Sequence, residues 1–153
     1  MARLFFESSA LVKRYIQETG TAWVDQLLNP TARHLIHVAR LTGVEIISAI
    51  ARRVRTGTLQ PAHQAGLVAQ FRQEFTKQYL KIEISPALVT EAMSLAETHA
   101  LRGSDAIQLA AALRVHAQNL ATGVPFLLIS ADAELNTAAQ REGLTVDDPT
   151  AHP

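Results

Sequence analysis

The chain has 153 residues, of which 48% are apolar and 18% charged, with 14 basic and 14 acidic side chains and no cysteine. That length suits one core with about two-thirds of the unfolded surface buried, and the composition excludes intrinsic disorder. The lack of cysteine excludes disulfides, thiolate zinc sites and cysteine nucleophiles, while a formal charge of zero excludes a global field drawing the protein onto nucleic acid, so any affinity for a polyanion must be local.

Leu4 to Phe6 read as a short buried strand, followed by a helix from about Ser8 to Gln17 with Ala10, Leu11 and Tyr15 on its apolar side. Gly20 starts a second helical stretch around Trp23, Val24, Leu27 and Leu28, which Asn29 and Pro30 close. "HLIHV" (34–38) is the next strand candidate; a long helix from about Leu41 to Arg55 stops at Gly57, and Pro61 opens another to about Lys77. "YLKIEI" (79–84) alternates with period two, as a strand with one wetter face does. Pro86 starts a helix to about Ala100, and Ser104 is placed to cap a helix of small residues, Ala106, Ala110, Ala111, Ala112 and Ala117, that can lie close to its neighbours. "FLLIS" (126–130) is a buried strand, followed by a helix to about Glu142, a stop at Gly143 and a last strand "LTV" before Pro149. Strands alternating with helices, and apolar throughout, predict a mostly parallel sheet covered on both faces. There is no internal repeat and no linker. No apolar run approaches a membrane span and the amino terminus lacks a signal pattern, so a cytoplasmic protein with no membrane partner is expected.

In such a sheet, ligands bind beyond the carboxyl ends of the strands. Four acids fall there: Glu7 after the first strand, Glu45 early in the helix after the second, Asp105 at the start of the small-residue helix, and Asp132 after "FLLIS". Asp105 and Asp132 also suit a helix dipole and its free amide donors, and Glu7 reads as a solvated turn acid or the start of a cap as readily as a site residue. Glu45 is harder to explain that way. It lies in "LTGVEIISAI", with Leu41 one turn before and Ala49 one turn after, where an ionised carboxylate is costly unless a cation or donor compensates it. Four acids at one sheet edge raise one another's pKa unless something positive joins them, and a divalent metal is the simplest candidate. Oxygen-only ligands point to magnesium or manganese rather than zinc. Of the six histidines, His34 and His37 lie on opposite faces of a strand candidate and the others are scattered, so all read as structural or surface residues.

The blocks "LFFESSALVKRY", "LTGVEIISAIARR", "LRGSDAIQLAAAL" and "LISADAELNTAAQREGLTVDDP" together resemble the PIN-domain family, and within it the VapC-type ribonuclease toxins of bacterial toxin–antitoxin pairs. The most specific features are a first-turn Asp before the isoleucine, glutamine, leucine and alanine run, and a Ser two residues before the fourth acid, here Ser130 and Asp132. The resemblance implies one PIN-like domain over residues 1–153, an α/β/α sandwich with a mostly parallel central sheet. It places Glu7, Glu45, Asp105 and Asp132 at the four acidic catalytic and metal positions, with Ser8 or Ser9 and Ser130 as supporting hydroxyls. Glu7 stands where the family nearly always has Asp. Its extra methylene shifts the carboxylate by about a bond length, while magnesium asks for octahedral contacts at about 2.0 to 2.1 Å, so weaker, shifted or water-mediated binding and reduced activity are expected.

The activity implied is endonucleolytic cleavage of RNA with Mg2+ or Mn2+, in which an activated water attacks phosphorus in line. The cations near these junctions in sequence, Lys13, Arg14, Arg52, Arg53, Arg55 and Arg102, are candidates for contacts to the RNA backbone, although "ARRVR" also reads as a solvated helix face. Aromatic residues make up only 5%, so readout by base stacking is not indicated. The partners implied are a cognate antitoxin laid across the groove and a second copy in a homodimer. Trp23, Val24, Leu27 and Leu28 offer either a partner surface or ordinary core packing. The alternative function is a catalytically weakened module that binds RNA or antitoxin without cutting. A phosphoryl-accepting receiver domain needs an acidic pair after the first strand and a late lysine, whereas only Glu7 stands there and no lysine follows residue 81. A haloacid-dehalogenase-type phosphatase needs two aspartates one residue apart after the first strand, which are also missing.

Overall fold

Apolar residues on both faces of the central strands require a covering layer on each side, and the computed structural model, which describes residues 1–153, has that arrangement. Strands β1 (Arg3–Phe6), β2 (Leu35–Ala39), β3 (Leu80–Ile82), β4 (Phe126–Ile129) and β5 (Val146–Asp147) form one sheet in the order β3-β2-β1-β4-β5. Every pairing is parallel. Around it lie α1 (Ser8–Leu11), α2 (Thr21–Leu28), α3 (Leu41–Arg55), α4 (Pro61–Lys77), α5 (Pro86–His99), α6 (Gly103–Asn119) and α7 (Ala133–Arg141).

The period of two along the strands divides the core. Leu4, Phe6, Ile36, Val38 and Ile129 pack with residues of α1 to α4, while Phe5, Ala39 and Leu128 pack with residues of α5 to α7. Full burial of each large apolar side chain contributes about 1.5 to 3 kcal/mol. Helix α6 is the most deeply inserted, with Ala106, Ala110, Ala111 and Ala112 all buried against the sheet and α5, as its small residues predict.

The chain winds from β1 outward to β3 beneath one helical layer, then crosses the other face to β4 and β5. Its direction therefore reverses between β1 and β4, where an open parallel sheet has its ligand crevice.

Several expected boundaries move. The first helix does not reach Gln17: it is α-helical to Leu11 and ends in one 3-10 turn, Val12–Arg14. The Thr21 hydroxyl donates to the Lys13 carbonyl at 2.8 Å and accepts the Glu18 amide at 2.9 Å, turning the chain back instead. Ser104 is not a cap, because α6 starts at Gly103 with Arg102 in the cap position and no side-chain cap bond. The "YLKIEI" strand shrinks to Leu80–Ile82, an edge strand paired only with β2. His34 precedes β2, where its Nδ1 accepts the Ala2 amide, and the last strand moves to Val146–Asp147 because Leu144 turns into the core. The apolar side of α2 is used internally: Val24 and Leu28 are buried, Leu27 packs on the same core, and Trp23 stacks on His152 at 4.0 Å. No helix is long and apolar enough to cross a membrane.

The turn into α2 depends on Gly20, which has φ +93°, and a Cβ there would lie 2.4 Å from the Pro149 carbonyl oxygen. Gly20→Ala combines a left-handed residue with a backbone clash and is expected to cost about 2 to 4 kcal/mol, read as a lower urea midpoint at unchanged slope.

Candidate active site

Glu7, Glu45, Asp105 and Asp132 line one cavity of about 440 Å³, so the structure brings the four predicted acids to one place. Four different junctions deliver them. Glu7 leaves β1, Asp132 leads into α7 after β4, Glu45 lies in the second turn of α3 and Asp105 in the first turn of α6. Glu7 and Asp132 thus stand on either side of the point where the winding reverses.

Each carboxylate has its own set of donors. Glu7 is only 4% exposed and accepts the Ser9 amide at 3.0 Å, the Ser9 hydroxyl, and the Ser130 hydroxyl at 3.3 Å. It is therefore the cap of α1, as one of its two sequence readings had it. Ser9 Oγ accepts the Ala131 amide at 2.9 Å and Ser130 Oγ accepts the Asp132 amide at 3.2 Å, so Glu7 also ties the first turn of the chain to the loop after β4. Burial pushes its pKa up from 4.5 to about 7; the two Ser9 hydrogen bonds oppose the rise, and the charges of Glu45 and Asp105 add to it.

Glu45 Oε1 lies 2.9 Å from the Ser8 hydroxyl and accepts the Gln108 amide at 2.8 Å. The Gln108 nitrogen also reaches Thr42 Oγ1 at 3.0 Å and Ser8 Oγ at 3.1 Å, and the two hydroxyls are 3.0 Å apart. Gln108 Oε1 is buried without a partner. Reversing the amide would set that oxygen against the Glu45 carboxylate, so the orphaned acceptor follows from holding Glu45 in place. Gln108 and Thr42 form the network behind Glu45, and the sequence reasoning gave neither of them a role. The signals were a glutamine three residues after Asp105 within the otherwise apolar run 106–113, and a threonine three residues before Glu45.

Asp132 Oδ1 accepts the Leu135 amide at 2.9 Å and caps α7, the ordinary helix-start role considered for it. Asp105 caps nothing. Its Oδ2 receives Arg102 Nε at 3.2 Å, and Arg102 Nη2 extends to Asp132 Oδ2 at 3.5 Å. Burial raises the Asp105 pKa most, the nearby Asp132 charge raises it further, and Arg102 works against both.

Hydroxyl and carboxylate oxygens are the donors a hard divalent cation takes, and this cavity holds no competing nitrogen or sulfur ligand among its acids. The residues fit such an ion in chemistry and charge. As they stand, no group of three or more acidic or histidine side chains is arranged to hold one: Glu7 is turned to Ser9 and Ser130, and Arg102 spans Asp105 and Asp132. An ion taking Asp105 Oδ2 and Asp132 Oδ2 would take the place of Arg102 there.

Of the cations expected near the acids, Arg52 and Arg102 line the cavity. Lys13 and Arg14 do not line it. Lys13 is buried against Glu18 at 3.4 Å, and Arg14 is held by Glu74 at 2.5 Å and Asp25 at 3.1 Å in a network that includes Tyr79. Arg53 pairs with Glu18, while Arg52 and Arg55 are exposed along a solvated face of α3.

No family model matches the chain. Ribonuclease VapC45 and ribonuclease VapC49, both of Mycobacterium tuberculosis, are each 31% identical to it over 147 residues, covering 95% of this chain and 95% of theirs. Among solved structures, a toxin-antitoxin complex from Klebsiella pneumoniae matches with a TM-score of 0.63 at 17% identity over 95% of this chain and 97% of that one. PAE2754 from Pyrobaculum aerophilum matches with a TM-score of 0.62 at 17% identity over 99% of this chain and 92% of that one. Both are likenesses of fold.

The raised pKa of Glu7 has a definite sign. The folded chain holds that proton more tightly than the unfolded chain, so stability is greatest below pH 4.5 for this group and is lost as pH rises towards about 7. The shift corresponds to about 3 kcal/mol. In chelator, Glu7→Gln is expected to be more stable than the parent at pH 8 by up to that amount and to show no gain at pH 4. Urea denaturation at both values checks this, and a difference independent of pH would contradict it.

Proposed function

Because the chain belongs to the VapC family of ribonucleases, we propose that it is an endoribonuclease whose reaction takes place in the cavity lined by Glu7, Glu45, Asp105 and Asp132. One observation carries this reading: four carboxylates from four separate junctions open on a single cavity at the reversal point of the sheet. That is a costly arrangement for a fold to keep without a cation or a cationic transition state to receive.

We propose Mg2+ or Mn2+ as that cation, held by Asp105 and Asp132 with Glu45 and, at a longer reach, Glu7. When bound it would supply an activated water and offset the charge on phosphate and leaving oxygen. Ser8, Thr42 and Gln108 keep Glu45 in a fixed orientation. Ser9 and Ser130 do the same for Glu7. Arg52 and Arg102 lie at the rim, where they suit the phosphates of a single RNA strand. The proposed partners are that RNA, a cognate antitoxin protein and a second copy in a homodimer, with the cytoplasm as the place of action. The Klebsiella neighbour, described as a toxin-antitoxin complex, supports the antitoxin.

The engagement of Glu7 with Ser9 and Ser130 favours a second reading, in which the cavity binds RNA or antitoxin but turns over slowly or not at all. Cleavage of a mixed single-stranded RNA separates the two. The nuclease is expected to cut with Mg2+ or Mn2+ and not in chelator, and Asp105→Asn is expected to abolish cutting. Cutting by Glu7→Asp alone would establish the second reading, and cutting in chelator would end the metal proposal.

Gln108→Leu keeps the volume of the side chain and removes the amide that orients Glu45. It is expected to lower the rate by about 10- to 100-fold with little change in fold, and less than Asp105→Asn does. Rates beside far-ultraviolet circular dichroism test this, and an unaltered rate would mean that the network serves packing only.

A further inference from the structure

We propose that Arg102 is a built-in counter-ion that competes with the metal: its guanidinium bridges Asp105 and Asp132, and a divalent cation that takes those two oxygens displaces it. The inference rests on reading the cavity as a metal site. Position and exposure carry it further than charge alone. Arg102 occupies the cap position of α6 with an extended backbone, φ −63° and ψ 152°, which sends its side chain back over the first helical turn towards Asp105. Nε meets Asp105 Oδ2 at 3.2 Å and Nη2 meets Asp132 Oδ2 at 3.5 Å, so one planar group contacts acids delivered by two different elements. The Asp105 side chain is 8% exposed and Asp132 is 20% exposed, whereas Arg102 is 76% exposed. The acids are largely buried, while the arginine is open to solvent.

Such a contact suits a competitor rather than a plug. An exposed ion pair is weak, and a divalent cation brings twice the charge to the same two oxygens. Arg52 lines the same cavity without contacting a carboxylate, so it shares the local field but not the contact. Once displaced, the guanidinium remains at the mouth of the cavity, where its fork is matched to a phosphate. The same side chain thus balances the acids before the metal arrives and is released towards the RNA backbone afterwards.

Direct Mn2+ binding, followed by the electron paramagnetic resonance signal of the free ion at fixed ionic strength, tests this without reference to cleavage. Arg102→Ala is expected to bind Mn2+ about three- to tenfold more tightly than the parent, and Arg52→Ala to change binding by less than about twofold. Arg102→Lys, which keeps the charge but cannot bridge both acids, is expected between parent and alanine. Asp105→Asn, losing Mn2+, would place the ion in this cavity. Equal tightening in Arg52→Ala and Arg102→Ala would overturn the proposal in favour of a long-range field effect, as would unchanged or weaker binding in Arg102→Ala. Failure of all the proteins to bind Mn2+ would instead remove the metal site itself, and the competition with it.

Discussion

Four carboxylates facing one cavity repel one another and resist leaving water, and the polar structure around them answers both problems. Glu45 is met by Ser8 and Gln108, with Thr42 behind them. Glu7 is met by Ser9 and Ser130, Asp132 by the amide of Leu135, and Asp105 by Arg102. The compensation is incomplete, since the pKa values of Glu7 and Asp105 both remain raised and both feel neighbouring acids. A fold optimised only for stability would carry apolar side chains in place of such a cluster. Its cost is the physical argument for the proposed cationic ligand.

The scaffold delivers these groups because its layers are rigid where it matters. β1 and β4 pair in register from Arg3 with Phe126 to Phe6 with Ile129, so the residues that follow them emerge side by side. Helix α6 contributes two site residues one turn apart, Asp105 and Gln108, and the small buried Ala106, Ala110, Ala111 and Ala112 let it lie close to the sheet. Larger side chains at Ala106 or Ala112 would push the helix outward, with Asp105 and Gln108 on it. Packing and chemistry therefore constrain the same seventeen-residue helix.

Much of this was legible from the chain alone. The fold class, the ranges of α3 and α4 and the four acids follow from apolar periodicity and from where polar residues interrupt it. What was not legible depends on contacts distant in sequence. The first helix stops early because of Thr21, which lies beyond its predicted end. Gln108 joins Ser8 and Thr42 across separations of 100 and 66 residues, which no local pattern reports. The basic residues show the same limit most sharply. Lys13, Arg14, Arg52 and Arg102 look equivalent in the sequence, yet Glu18, Glu74 and Asp25 bind the first two away from the cavity and leave the others at its rim.

Glu7 shows how one residue can carry two demands. As a metal ligand, a glutamate in place of the family's usual aspartate looks like a defect, because the longer side chain moves the carboxylate. As a cap, it contacts the Ser9 amide and both the Ser9 and Ser130 hydroxyls, and those serines in turn receive the amides of Ala131 and Asp132. The carboxylate therefore helps to set the backbone that presents Asp132. A shorter acid gives up reach towards Ser130 in exchange for a different approach to the ion. Position 7 thus affects the site twice, once through its own oxygens and once through the loop that carries the fourth acid.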